Sequence, residues 1–190
     1  LLYTGTGESS DRVLVLNANP TIEQAGPSGT LRFTATPTVL SSDRTMYLQG
    51  SAAGVGEFSA PLANTGSYKL NIVKNGSGTW LFSGTNTYTG STTVNGGKLL
   101  LGSYGSLASG SAVLVNSGAV LGGSGKASGG VTVAPGGSLA PGDFGTVGTL
   151  ALGGTLVMTN AVLCYDLVSA DAVGVATDKV SVAGALTLGD

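Results

Sequence analysis

The chain has 190 residues, net charge −2, 33 glycines, and only 9 % charged residues, against roughly a quarter in ordinary soluble domains. Histidine is absent and Cys164 is the lone cysteine, so His-dependent catalytic triads and internal disulfides are excluded and a zinc centre is not expected. Mean hydropathy is positive, at +0.33, but no window holds the ~20 apolar residues that a spanning helix needs.

Along the chain, apolar residues come in bursts of three to five between Gly, Ser, Asn and Thr, a rhythm of short strands and turns. Good helix formers are scarce and no helical stripe is visible. From the N-terminus, Arg12 to Leu16, Thr30 to Thr34 and Thr45 to Leu48 read as strands, with Pro20, Pro27, Pro37 and Pro61 in the links. Residues 1–42 are expected to form irregular turns of the same solenoid as the rest.

From Val73 onward a unit recurs: a strand ends on a small apolar residue, a glycine turn follows, and a new apolar strand begins. Its strand ends fall at Val73, Val94, Val115, Val133, Ala151 and Val182, with spacings of 21, 21, 18, 18 and 31 residues. A period of about 18–21 residues is one turn of a β-solenoid, stacked on its neighbours at about 4.8 Å. Inward residues then resemble those above and below, which selects columns of Val, Leu and Ala. Trp80, Phe82, Val94, Leu99, Leu101, Val115, Val120, Val133 and Leu139 are predicted to point inward. The long last spacing predicts an outward excursion near 159–179.

Residues 74–101 carry a longer pattern: Lys74-x-Gly76-x-Gly78-Thr79, an apolar strand through Trp80 and Phe82, then Ser83-Gly84. Asn86-x-Tyr88-Thr89-Gly90, Thr92-x-Val94 and Gly97-Lys98-Leu99 complete it. This run resembles the autotransporter-associated β-strand repeat. Asp43-Arg44-Thr45 resembles the strand that precedes it, and 129–143 and 178–188 resemble the tract that follows, so the likeness covers about 43–190. The resemblance implies one continuous right-handed parallel β-helix. It implies a non-enzymatic stalk or passenger segment of an exported bacterial surface protein, extracellular or on the cell surface. A self-assembling filament subunit and a carbohydrate-active β-helix enzyme are the alternatives. Expected partners are further β-helix repeats of the same or neighbouring chains and cell-surface or carbohydrate contacts. Nucleic acid is not expected, because no basic patch with interleaved aromatics exists, and no membrane insertion is expected of this segment. No stretch resembles a translocating barrel. The chain opens on Leu1 without Met or signal peptide and reads as an internal or processed fragment, both ends continuing or associating end to end.

Chemistry finds little footing, and no catalytic, cofactor or metal residues are assigned. The acids Glu8, Asp11, Glu23, Asp43, Glu57, Asp143, Asp166, Asp171, Asp178 and Asp190 do not pair at the turn period. Asp166, Asp171 and Asp178 are the nearest approach to a Ca²⁺ oxygen set; turn chemistry is the simpler expectation. Gly123-Ser124-Gly125-Lys126-Ala127 fails as a phosphate loop, because Val120 stands where the first glycine belongs and Ala127 follows the lysine. Trp80, Phe82 and Tyr88 read as core, with a sugar-stacking platform as the alternative. Cys164 reads as a small buried hydrophobe.

Overall fold

A computed structural model of the chain describes residues 1–51, 53–142, 146–166 and 177–189. Every regular element in it is a β-strand, and every pairing between strands is parallel. Such short strands pair with their equivalents one circuit later, so the chain winds as a parallel β-helix.

Three sheets wall the solenoid. Sheet A has nine strands: Leu2–Tyr3, Thr21–Gln24, Arg44–Gln49, Leu70–Lys74, Thr92–Val94, Val113–Val115, Val131–Val133, Leu156–Thr159 and Leu186–Gly189. Sheet B has eight: Glu8–Ser10, Thr30–Phe33, Val55–Phe58, Thr79–Phe82, Gly97–Leu101, Ala119–Gly123, Ser138–Pro141 and Val162–Leu163. Sheet C has four: Ser106–Leu107, Lys126–Ala127, Thr149–Leu152 and Lys179–Val182. The pair Val15–Leu16 and Thr38–Val39 occupies the same place in the circuit in the first turns. Of the strands in residues 1–42, Leu2–Tyr3, Glu8–Ser10, Thr21–Gln24 and Thr30–Phe33 join sheets A and B, while Val15–Leu16 and Thr38–Val39 pair with each other.

The pairing register defines the columns. On sheet A, Ile22, Leu48, Lys74, Val94, Val115, Val133, Met158 and Leu188 stack in one line. Successive turns therefore contain 26, 26, 20, 21, 18, 25 and 30 residues. The three central turns have the length the spacing predicts; the flanking ones are longer. Two register assignments change. Lys74, not Val73, lies opposite Val94, and Ala151 and Val182 belong to sheet C, so Met158 and Leu188 continue the column. The error came from counting strand ends without knowing to which wall each strand belongs.

Eight of the nine residues predicted inward are fully buried: Trp80, Phe82, Val94, Leu99, Leu101, Val115, Val133 and Leu139. Val120 is the exception. It pairs with Lys98 and Ser138 on the outer face of sheet B and is half-buried, while Ala119 and Leu121 face the core. Strand alternation forces that choice, because adjacent side chains point to opposite faces. The core opens with an aromatic stack: the rings of Phe33 and Phe58 lie 4.9 Å apart and those of Phe58 and Trp80 5.6 Å apart.

Of the expected excursion near 159–179, residues 167–176 lie outside the described residues. At its described margins, Val162–Leu163 pairs with Ser138–Pro141 and Lys179–Val182 with Thr149–Leu152. Cys164 is half-buried at the end of sheet B rather than in the core.

Candidate functional site

The most distinctive stretch runs from Ile72 to Leu101, more than one full turn, and several of its motif residues have an assignable task. Leu70, Ile72 and Lys74 alternate inward on one strand. Lys74 thereby enters the core column, and its Nζ donates to the carbonyls of Asn75 (2.8 Å), Gly76 (2.9 Å) and Gly96 (2.9 Å). All three ammonium protons are satisfied, two within the corner of its own turn and one in the next. Burial pushes the Lys74 ammonium down to about 8, since a low-dielectric surrounding disfavours the charged form. The three carbonyls offset part of that cost.

Beyond the corner, Trp80 fills the interior of sheet B and its indole N–H donates to the carbonyl of Gln49 at 2.9 Å. The residue beneath it is Gly56, where a Cβ would stand 2.5 Å from the indole ring. Glycine is needed there to make room for the tryptophan.

Asn86 is 2 % exposed and binds three segments together. Its Oδ1 accepts from the Leu62 N–H at 2.8 Å, and its Nδ2 donates to the carbonyls of Gly84 and Ser106, both at 2.9 Å. An amide suits this place because it supplies an acceptor and two donors on one rigid plane. Tyr88 is fully buried and its hydroxyl bonds Thr92 Oγ1 at 2.6 Å; Thr92 in turn bonds Ser111 Oγ at 3.1 Å. Burial pushes the Tyr88 phenol up to about 12, partly offset by those hydroxyls. Gly90 passes so close to the neighbouring turn that a Cβ would lie 2.1 Å from the Leu70 carbonyl oxygen. On the outer corner, Asn75, Asn95 and Asn116 form an amide ladder at 2.9 and 2.7 Å.

The sequence-derived candidates for chemistry find structural roles. Trp80, Phe82 and Tyr88 have no exposed surface, so they form no sugar platform. Asp178 accepts from the backbone N–H groups of Gly148 (2.8 Å) and Asp166 (2.6 Å), so it ties segments remote in sequence instead of bonding the local backbone of its own turn. Asp143, Asp171 and Asp190 lie outside the described residues. Among the described residues no group of three or more His, Cys, Asp or Glu is placed to hold a metal ion. Lys126 is an exposed strand residue on sheet C and opens no helix.

Two polar sites went unread in the sequence. The first is the interior place of Lys74, which the alternation of Leu70 and Ile72 signals. The second is Glu57, 5 % exposed, which pairs with Arg32 at 2.8 Å and accepts from Ser83 Oγ. These three sit on consecutive turns of sheet B's outer face. No local signal marks them, because they meet only across turns.

Fold and repeat together define a class: a parallel β-helix chain built of stacked repeats. Residues 72–101 match the family model described as passenger-associated-transport-repeat. Among curated proteins, the chain is similar to the adhesin BmaC autotransporter of Brucella suis biovar 1 (strain 1330), 33 % identical over 88 residues. That alignment covers 44 % of this chain and 3 % of the adhesin, so the chain matches a small fraction of that relative's length. No solved structure matches.

Proposed function

We propose that this chain is a segment of the β-helical body of an exported bacterial surface protein and that its work is mechanical: it carries other parts of that protein away from the cell. One observation carries the reading. In the turn that defines the repeat, the polar side chains Lys74, Asn86, Tyr88 and Thr92 all bond to the solenoid's own backbone or hydroxyls. Side chains committed to holding turns together are unavailable for binding or turning over a substrate. A non-enzymatic role, a place outside the cell and an adhesive parent protein follow from this reading and from the likeness to an autotransporter adhesin.

The test uses the full-length parent in its own host. Residues 72–101 are deleted, and the passenger on intact cells is measured with an antibody against a distal epitope, alongside total synthesis. The expected result is normal synthesis with at least about a tenfold loss of surface signal, since the deletion removes more than one full turn and with it the contacts on which both neighbours depend. Unchanged display would overturn the structural role. Turnover of a polysaccharide by the purified chain would instead establish the enzyme reading.

A further inference from the structure

The corner that follows the strand Leu70–Lys74 carries an arrangement that holding the turns together does not require. Asn75 is followed by Gly76, and one turn later Asn95 is followed by Gly96. Asparagine before glycine is the dipeptide most open to internal attack, because no Cβ screens the glycine nitrogen from the side-chain amide carbon before it. Glycine is fixed at position 76 by a φ of 70° and by the Gly50 carbonyl oxygen, which a Cβ would meet at 2.6 Å.

The groups around Asn75 match what that attack demands. The nucleophile is the Gly76 nitrogen, which must lose its proton, and among the described residues no group accepts from it. The negative charge so formed spreads onto the Asn75 main-chain oxygen. There the Lys74 Nζ donates at 2.8 Å, with a second bond to the Gly76 carbonyl at 2.9 Å. A cation bonded to the oxygen where charge develops lowers the cost of forming it. Lys74, although pushed down to about 8, is charged at neutral pH. The electrophile is Asn75 Cγ, whose Oδ1 accepts from Asn95 Nδ2 at 2.9 Å and is polarised by that bond. The leaving group is Asn75 Nδ2, the open end of the amide ladder, which donates to no described group. Gly76 is exposed, so water reaches the bond. Asn95 has the same dipeptide without these aids. Its main-chain carbonyl is not among the three that Lys74 holds, and its Nδ2 is tied to Asn75.

We infer that Asn75 is a self-modification site, where the folded corner converts its own side-chain amide into a carboxyl group. The Gly76 nitrogen bonds to Asn75 Cγ, and its proton passes by way of water to Nδ2. The Cγ–Nδ2 bond breaks, ammonia leaves, and a succinimide remains. Water then opens the ring. Addition at Cγ gives aspartate; addition at the Asn75 main-chain carbon breaks its bond to the Gly76 nitrogen and gives isoaspartate. Lys74 polarises the main-chain carbonyl and so directs water there. The α-carboxylate that this releases lies against the buried ammonium and becomes its counter-ion. The carbonyl cage around Lys74 is complete only when the turn carrying Gly96 is stacked on it, so the reaction follows folding.

The experiment is a time course of the purified chain at neutral pH, native and in concentrated urea, followed by digestion at acid pH. Mass spectrometry reads the amide-to-carboxyl shift at each asparagine, and electron-transfer fragmentation separates isoaspartate from aspartate. In the native chain Asn75 should convert about tenfold or more faster than Asn95, a modest share of what one oxyanion-hole donor supplies, with isoaspartate the main product. In urea the two should convert at similar rates. Lys74→Met should bring Asn75 down to the Asn95 rate and leave Asn95 unchanged, whereas a merely loosened corner would speed both. If that variant does not fold, the comparison of native and urea-unfolded wild-type chain decides. A native Asn75 that stays intact or reacts no faster than Asn95 would overturn the inference. So would an undiminished rate in folded Lys74→Met, or scission of the 75–76 bond, the product if Asn75 Nδ2 were the nucleophile.

Discussion

The Lys74 ammonium donates to the carbonyl of Gly96 across one turn of the solenoid, at 2.9 Å, from a column otherwise built of Ile22, Leu48, Val94, Val115 and Val133. A charged group thus occupies a place that apolar side chains fill in neighbouring turns, and backbone carbonyls make it tenable.

This arrangement sets a pH dependence with a definite sign. The Lys74 pKa falls from 10.5 to about 8 on folding, so between those values the unfolded chain binds the extra proton and stability rises with pH. Tyr88 acts oppositely: its pKa rises from 10.0 to about 12, so its contribution is present below pH 10 and lost as pH climbs toward 12. The urea midpoint should therefore rise from pH 8, pass a maximum near pH 10 and fall above it. In Lys74→Met the rise should vanish while the fall remains; a Lys74→Met profile identical to wild type would refute the assignment.

Leu99 and Val120 test the register. Leu99→Ala empties a fully buried site and should cost about 2–5 kcal/mol. Val120→Ala trims an outward side chain and should cost about 1 kcal/mol or less. Chemical denaturation measures both, and equal losses would contradict the outward placement of Val120.

Gly56 and Trp80 form a matched pair. In Gly56→Ala the new methyl meets the indole, and overpacking should cost about 1–3 kcal/mol. The variant's tryptophan emission should shift as Trp80 moves; the wild-type band should lie in the blue and resist acrylamide quenching, as expected of a ring with no exposed surface.

Asn86→Ala removes one acceptor and two donors from a buried site, orphaning the Leu62 N–H. The expected loss is about 1–3 kcal/mol for an unsatisfied buried group. Hydrogen exchange should localise the effect, with the Leu62 amide losing protection before the sheet B amides of Trp80 and Phe82. Global exchange at one common rate would show that Asn86 holds the whole solenoid rather than this corner.

The recurring strand–glycine–strand unit, the scarcity of helix formers and the 74–101 motif were enough to read an all-β solenoid and its resemblance to a passenger repeat. Each turn must present to its neighbour what the neighbour presents to it, and that requirement writes a period into the residues. Inwardness was legible wherever strict alternation held, as at Trp80, Phe82, Leu99 and Leu101. What the chain alone left open was which wall each short strand joins: Ala151 and Met158 both follow glycine-rich turns, and only the stacking on Lys126–Ala127 and on Val131–Val133 separates them. The tasks of Lys74, Asn86 and Glu57 were hidden for a related reason. Their partners lie 20 or more residues away, at Gly96, Leu62 and Arg32, and a hydrogen bond or ion pair at that separation exists only once the turns are stacked.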